Sequence, residues 1–489
     1  MPSQEHQDPG HAEHMDKKLL CVYGRQCFIG DHQTLRRLPE DEILTMNCID
    51  RNHIRPGHPA YAYQDDIAHK AKLLYNASLF RVRNHFTARG KTSLTDNEQF
   101  VEDEISLLPT KPGAVISAFS LQKLMTLTHN PDYYAGIPSQ IAQHVVAQAV
   151  TDFKNWLSAL KAWKKSPAGF TGKPRMPRYK KKDVAGFTIP NQSAVIKDGQ
   201  LTFPKTDVTV ACRVRSGSLR EVKVTPCYDG YLLCLCWDVP EEPQTSYGSH
   251  IAAVDFGVSN VMAAVTDEGA SVLFHGGAVK AENRYYNKEK ARLISIITKG
   301  HQTTARVSSH RIEALSFHRQ EFLHDTFQKM SSRLMEWCLA NDVGTLVLGS
   351  NKGWKQKASL GHVNNQTFVS IPLDGLKRML RYKAGRLGIT VIEQEESYTS
   401  KASFPDRDDI PVYGANGSTT AFCGYRIQRG LYKSKDGTVI NADLNAAANI
   451  LRKAGFETAN VSVDRLKCPL VIGYKALNTR IPAEGIAAV

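Results

Sequence analysis

The run Ile251-Ala-Ala-Val-Asp255-Phe-Gly-Val-Ser-Asn260 constrains this chain more than any other stretch. Its apolar residues describe a buried strand, and the acid and glycine that follow end it on a carboxylate. A second acid stands far along the chain in Ile440-Asn-Ala-Asp443-Leu-Asn-Ala-Ala-Ala-Asn-Ile450, an alanine-rich helix with Asp443 in its first turn. Carboxylates gathered from distant strand and helix ends suit a hard divalent cation, because Mg²⁺ prefers oxygen ligands and keeps positions open for phosphate and water. Each acid also has a plainer reading. An aspartate before Phe-Gly can close a turn, and one at a helix start can cap it.

The rest of the composition points to a polyanionic partner. The chain has 489 residues, with 62 Lys+Arg against 48 Asp+Glu. That length suits two or three domains, since single cores stop growing at roughly 250–300 residues. The basic excess is clustered: residues 153–182 contain Lys154, Lys161, Lys164, Lys165, Lys173, Arg175, Arg178, Lys180, Lys181 and Lys182 and no acid, with Trp156, Trp163, Phe170 and Tyr179 interleaved. A solvated helix face running into a basic loop is the plain account; neutralisation of a phosphate backbone is the favoured one. The opening residues carry Glu5, Asp8, Glu13 and Asp16 and no apolar run, and no later segment reaches the ~20 apolar residues of a membrane span. The ten cysteines contain no C-x-x-C pair, so a disulfide framework and a zinc ribbon are both unexpected. A cytoplasmic protein with no membrane partner is the expectation.

Periodicity divides the chain. Residues 1–60 are the least readable, with strands expected near 18–29 and loop up to Pro59. From Ser139 onward Ile141, Val145, Ala149, Phe153, Trp156, Leu160 and Trp163 recur at steps of three and four, the stripe of one long helix. After Pro177 the period becomes two, in short β-rich runs cut by Asp198-Gly199, Ser216-Gly217 and Asp229-Gly230 turns. From Ile251 three short strands are expected, followed by long helices alternating with the strands Thr345-Leu-Val-Leu-Gly349 and Thr390-Val-Ile-Glu-Gln-Glu-Glu396. Three antiparallel strands followed by alternating helices and parallel strands is the order of an RNase H fold.

Six stretches, in this order, resemble the TnpB family of transposon-encoded RNA-guided nucleases and their compact type V CRISPR descendants. They are Lys173-Pro-Arg-Met-Pro-Arg-Tyr-Lys-Lys-Lys182, Val254-Asp-Phe-Gly-Val-Ser259, Leu348-Gly-Ser-Asn-Lys-Gly-Trp-Lys-Gln356, Glu396-Ser-Tyr-Thr-Ser-Lys401, Arg429-Gly-Leu-Tyr-Lys433 and Asn441-Ala-Asp-Leu-Asn-Ala-Ala446. The resemblance implies a multidomain α+β chain. Its parts would be an N-terminal segment (1–60) contributing strands to the wedge, a helical recognition domain (61–165), a small antiparallel, barrel-like β wedge domain (166–247), a RuvC-like nuclease domain of RNase H fold (248–455) and a C-terminal tail (456–489).

This chain departs from the family in two places. Relatives end the strand matching 345–349 with a catalytic glutamate, where Gly349 and Ser350 stand here. The next strand offers Glu396, at a position commonly proline in relatives. Adjacent strands lie only ~4.8 Å apart, so a glutamate one strand over can reach the same metal. Glu393 and Glu395 alternate to the other face and are second choices. If Glu396 were an ordinary strand-end acid, only two carboxylates would remain. Relatives also carry four zinc-binding cysteines in the segment matching 403–436, which here holds only Cys423, so no zinc is expected.

The function implied is that of an Mg²⁺-dependent RNA-guided DNA endonuclease. Asp255, Glu396 and Asp443 would hold two Mg²⁺ ions, and a bound guide RNA would read double-stranded target DNA beside a short motif. Asn445 is a further hydrogen-bonding candidate near that site. Lys352, Trp354 and Lys355 would stack on or neutralise a nucleic-acid strand, or simply pack. A monomer is expected, with a dimer left open. The alternative is a guided DNA-binding repressor that has lost cleavage; a DNA-strand transferase ranks last.

Overall fold

A computed structural model describes residues 28–29, 36–37, 45–214, 217–240, 248–301, 307–350, 371–412, 421–428 and 430–478. Lys352, Trp354 and Lys355, and most of the strand expected near 18–29, lie outside the described residues. The chain opens with the antiparallel pair β1 (Phe28–Ile29) and β2 (Arg36–Arg37), then β3 (Thr45–Ile54). Helices α1 (Tyr61–Ala88), α2 (Asp96–Ser106), α3 (Ala118–Leu127) and α4 (Ser139–Lys165) follow. Next come β4 (Phe187–Pro190), β5 (Val195–Lys197), β6 (Gln200–Thr202), β7 (Thr209–Ala211), β8 (Ser218–Cys227) and β9 (Gly230–Pro240). The helices and the antiparallel sheet β3-β9-β8-β4 share one apolar core, in which Leu74, Val146 and Phe153 meet Val222 and Leu233. The α4 stripe is buried from Ile141 to Phe153; beyond it Trp156 is half-buried and its indole donates to the Pro174 carbonyl at 3.2 Å.

The second half is built on a six-stranded sheet. Strands β10 (His250–Asp255), β11 (Asn260–Thr266) and β12 (Ser271–His275) form an antiparallel meander. After α5 (Gly277–Ile297) and α6 (His310–Ala340), β13 (Val343–Ser350) pairs parallel with β10. Helix α7 (Leu373–Arg386) leads to β14 (Thr390–Glu395), parallel to β13. A small sheet of β15 (Tyr425–Gln428), β16 (Leu431–Lys433) and β17 (Val439–Asn441) precedes α8 (Ala442–Lys453). Strand β18 (Leu470–Ile472) returns to the large sheet beside β12.

Period two on β10 decides which side chains face which layer. Ala252 and Val254 pack with α6 and α7, whereas Ala253 packs with Val347 and the α8 residues Leu444, Ala447 and Ala448. Both faces are covered, as expected of a sheet that contains parallel pairs. Strand β3 stands where loop was read before Pro59, within the segment from which strands for the wedge were expected, and it pairs with β9. Strands β15, β16 and β17, and β18 within the expected tail, have no counterpart in the sequence reading.

Candidate active site

The register of the central strands brings the three candidate acids to one side of the sheet. Ala253 pairs with Val347, and Val347 with Ile392. Counting by twos from these partners puts Asp255, Gly349 and Glu396 on the α8 face, where Asp443 opens its helix. Each of the three acids is half-buried.

Gly349 shows how Glu396 gets there. A Cβ built on Gly349 would collide with Glu396 Oε2, so the Glu396 carboxylate leans across from the neighbouring strand into the space that a side chain at 349 would fill. Glu396 Oε2 is buried and accepts no hydrogen bond from any described residue. Such an orphaned acceptor costs about 1–3 kcal/mol unless a ligand meets it. Glu393 faces the other way and pairs with Arg381 of α7. Glu395 is tied to Lys453 of α8, whose ammonium lies 2.6 Å from Oε2 and also donates to the carbonyls of Ser397 (2.8 Å) and Pro411 (3.0 Å).

Asp443 is free of the capping duty its position allows. Asn441 caps α8, its Oδ1 accepting from the backbone N–H groups of Asp443 (2.9 Å) and Leu444 (3.2 Å). The Asp443 carboxylate instead accepts from Asn260 Nδ2 at 2.8 Å and lies 3.8 Å from the Arg426 guanidinium. Asn445 turns away from the acids: its Oδ1 accepts from Phe404 N–H at 2.9 Å and its Nδ2 donates to Ala402 carbonyl at 2.8 Å. With Asn449, which donates to the carbonyls of Thr399 and Ala402, it fixes the chain just after Glu396.

Charge accumulates at this centre. Burial raises the Asp255 carboxyl well above the ordinary aspartate range, and the negative charges of Glu396 and Asp443 raise it further, opposed by Arg426. Part of Asp255 reaches solvent, but protein surrounds the carboxyl closely enough for desolvation to be the largest cause. Burial also raises Glu396, with Lys377 and Lys453 pulling the other way. The Lys377 ammonium donates to Gly349 carbonyl and sits 4.8 Å from the Phe256 ring centre. No choice of one oxygen from each of the three acids brings all three within 4.8 Å of one another, so the set spans more than a single small ion needs.

A pH dependence follows. The folded chain holds the Asp255 proton above the pH at which the unfolded chain releases it, so this group costs stability as pH rises from the ordinary aspartate range through the raised Asp255 value. A cation that binds the ionised site offsets that loss. Mg²⁺ should therefore raise Tm more at about pH 8 than at about pH 5.5, and Asp255→Asn should remove the difference. Equal shifts at the two pH values in differential scanning fluorimetry would count against the acids acting as ligands.

Sequence reasoning missed Asn260, Lys377 and Arg426. The first ends the motif of Asp255 and was readable there; the other two reach the site only through tertiary packing. In the segment 403–436, hydrogen bonds centred on two acids occupy the region where the zinc ligands of relatives were sought. Asp408 accepts from the backbone N–H of Ser403 (2.7 Å) and of Cys423 (3.0 Å), and Asp406 from that of Lys435 (2.9 Å).

Of the basic cluster, Lys154, Lys161, Lys164, Lys165, Lys173, Arg175, Arg178, Lys181 and Lys182 are exposed. Lys180 differs: it is half-buried with its ammonium 4.0 Å from the Tyr75 ring centre, its backbone is clamped by Asn76, and burial lowers its pKa. No helix among the described residues is long and apolar enough to cross a membrane.

The family described as "Probable transposase" (OrfB_IS605) matches residues 234–355, which include Asp255 and Gly349. The family described as "Cas12f1-like, TNB domain" matches residues 374–450, which include Glu396 and Asp443. A curated relative, the TnpB-like protein ORF457 of Acidianus two-tailed virus, is 24% identical over 237 residues, covering 46% of this chain and 45% of the relative's length. Among solved structures, a Cas12f1–sgRNA–target DNA complex is similar at TM-score 0.42 and 14% identity, covering 80% of this chain and 82% of that one. The mini-RNA-guided endonuclease CRISPR-Cas_phi3 is similar at TM-score 0.40 and 10% identity, covering 86% and 94%. The two sequence families take in the strand that carries Asp255 and the helix that carries Asp443, and with the viral relative they support a TnpB-like character for this chain.

Proposed function

We propose that this chain is an RNA-guided DNA endonuclease with a single RuvC-like site, in which Asp255, Glu396 and Asp443 hold two Mg²⁺ ions. The observation that carries the reading is the Glu396 carboxylate lying over Gly349 with Oε2 buried and unbonded. Where relatives carry a glutamate on β13 this chain has Gly349, and the Glu396 carboxylate, just past the end of β14, lies over it, which supports a site of three acids. The donor set is all oxygen, fits hard divalent ions and leaves the solvent side open. When bound, paired Mg²⁺ ions supply an activated water and stabilise the departing 3′ oxygen of a phosphodiester.

The chain's own residues account for the rest. Asn260 orients Asp443, the Asn445 and Asn449 bonds anchor the segment after Glu396, and Arg426 lies close enough to balance charge. Residues 61–165 would serve as the recognition domain, 166–247 as the wedge and 248–455 as the nuclease. The exposed lysines and arginines of 153–182 would grip the guide–target heteroduplex by its backbone, with sequence read through base pairing.

Expression of the gene with its flanking DNA, followed by sequencing of the RNA that copurifies, tests the guided reading. A discrete RNA with a structured scaffold is expected, and it should direct cutting of a matched DNA. Protein that is repeatedly free of any specific RNA would overturn guidance. Guided binding without cutting would favour the repressor, the reading that the missing β13 glutamate motivates.

A further inference from the structure

We propose that His53, Cys227 and Asp229 form a second metal site, selective for Zn²⁺ and separate from the acidic centre. His53 lies next to the end of β3, Cys227 ends β8, and Asp229 sits in the turn to β9. Gly230 lets these pieces meet: at φ +141° it has no Cβ to strike the Ile54 carbonyl, so the end of β3 closes onto the hairpin.

Three ligand atoms converge there. His53 Nε2 lies 3.4 Å from Cys227 Sγ and 2.8 Å from Asp229 Oδ1, and all three atoms fall within 4.8 Å of one another. Tetrahedral zinc, with Zn–S near ~2.3 Å and Zn–N or Zn–O near ~2.0–2.2 Å, needs ligand atoms roughly 3.3–3.7 Å apart. Small side-chain adjustments reach that spacing. Asp229 Oδ1 is buried and accepts no hydrogen bond from the described residues, despite the imidazole beside it. Its other oxygen is taken by Arg55 Nε at 3.2 Å, an outer contact that aims Oδ1 at the cluster.

Thiolate, imidazole and carboxylate together select zinc over magnesium, so the site does not compete for the ions of the acidic centre. Three protein ligands leave a fourth position for water. The location gives the ion a structural role. The His53 ring packs on Phe317 of α6 at 5.1 Å between centres, Tyr228 packs on His310 of the same helix at 4.6 Å, and Arg51 pairs with Glu321 at 2.9 Å. A bound ion would fix the corner of the β3-β9-β8-β4 sheet against α6, the helix that backs the large sheet.

The test uses the full chain, stripped with chelator, reloaded with Zn²⁺ or Co²⁺ and desalted. Wild type should retain one Zn²⁺ per chain by plasma mass spectrometry and show a thiolate-to-Co²⁺ charge-transfer band. Cys227→Ser should lose that band, and Cys423→Ser should retain it. Asp229→Asn, which conserves shape, should weaken Zn²⁺ binding at least about tenfold with unchanged circular dichroism. Wild type that retains no zinc, a band that survives Cys227→Ser, or undiminished affinity in a folded Asp229→Asn would each overturn the site. None of these readouts depends on DNA cleavage, so the result stands or falls independently of the endonuclease reading.

Discussion

On the proposed endonuclease reading, Glu396→Ala should lower Mg²⁺-dependent DNA cleavage by about a thousandfold or more and leave guided target binding intact. A metal ion that such a carboxylate would hold stabilises developing negative charge by several kcal/mol, and each ~1.36 kcal/mol is a factor of ten in rate. Among the described residues the neighbouring glutamates are already engaged. Glu395 is held by Lys453, and Glu393 is paired with Arg381 on the opposite face. Glu396→Gln should cut as poorly as Glu396→Ala, because it preserves the volume over Gly349 and removes only the charge. Single-turnover cleavage read beside a gel-shift binding assay separates the two effects. Wild-type cutting by either variant would remove Glu396 from the site and leave two aspartates to account for any activity.

Asp255 and Asp443 stand at the ends of strongly patterned elements, a strand and a helix, whereas Glu396 entered only through the gap that the resemblance left at Gly349. Ile251-Ala-Ala-Val-Asp255 is apolar on both faces, so its parity places Asp255 as soon as one neighbouring register is known. Asp443 at the helix start could have been its cap, but Asn441 takes that duty and leaves the acid free for other work. What the sequence did not carry is contact made across the fold. Thr45–Ile54 reads as polar and broken, yet it pairs along its whole length with β9, whose alternating apolar residues supply the burial. Lys377 and Arg426 look like surface charges until α7 and β15 bring them beside Gly349 and Asp443. Lys180, which in a basic run reads as a phosphate contact, is half-buried by Tyr75 and Asn76 in a way the run does not foretell.

Gly349→Ala should reduce cleavage about a hundredfold although it removes no functional group. The new methyl would overlap Glu396 Oε2 and come within 2.9 Å of Ile450 Cδ1 and 3.2 Å of the Val254 carbonyl. The Glu396 side chain is the freest of the three to move, so the methyl displaces it from the acidic centre. A misplacement of about 1 Å at a reacting centre is enough for a loss of that size. Overpacking should also destabilise the fold by about 1–3 kcal/mol. The two effects can be traced to one contact by a double-mutant cycle. In a Glu396→Ala background the space over residue 349 is open, so Gly349→Ala should cost less stability there, by about 1 kcal/mol or more, with the Ile450 contact accounting for what remains. It should also leave the residual cleavage of Glu396→Ala unchanged. If Gly349→Ala costs the same stability with and without Glu396, the two residues do not share that space. The absence of a side chain at 349 would then have no bearing on how β14 supplies the third carboxylate.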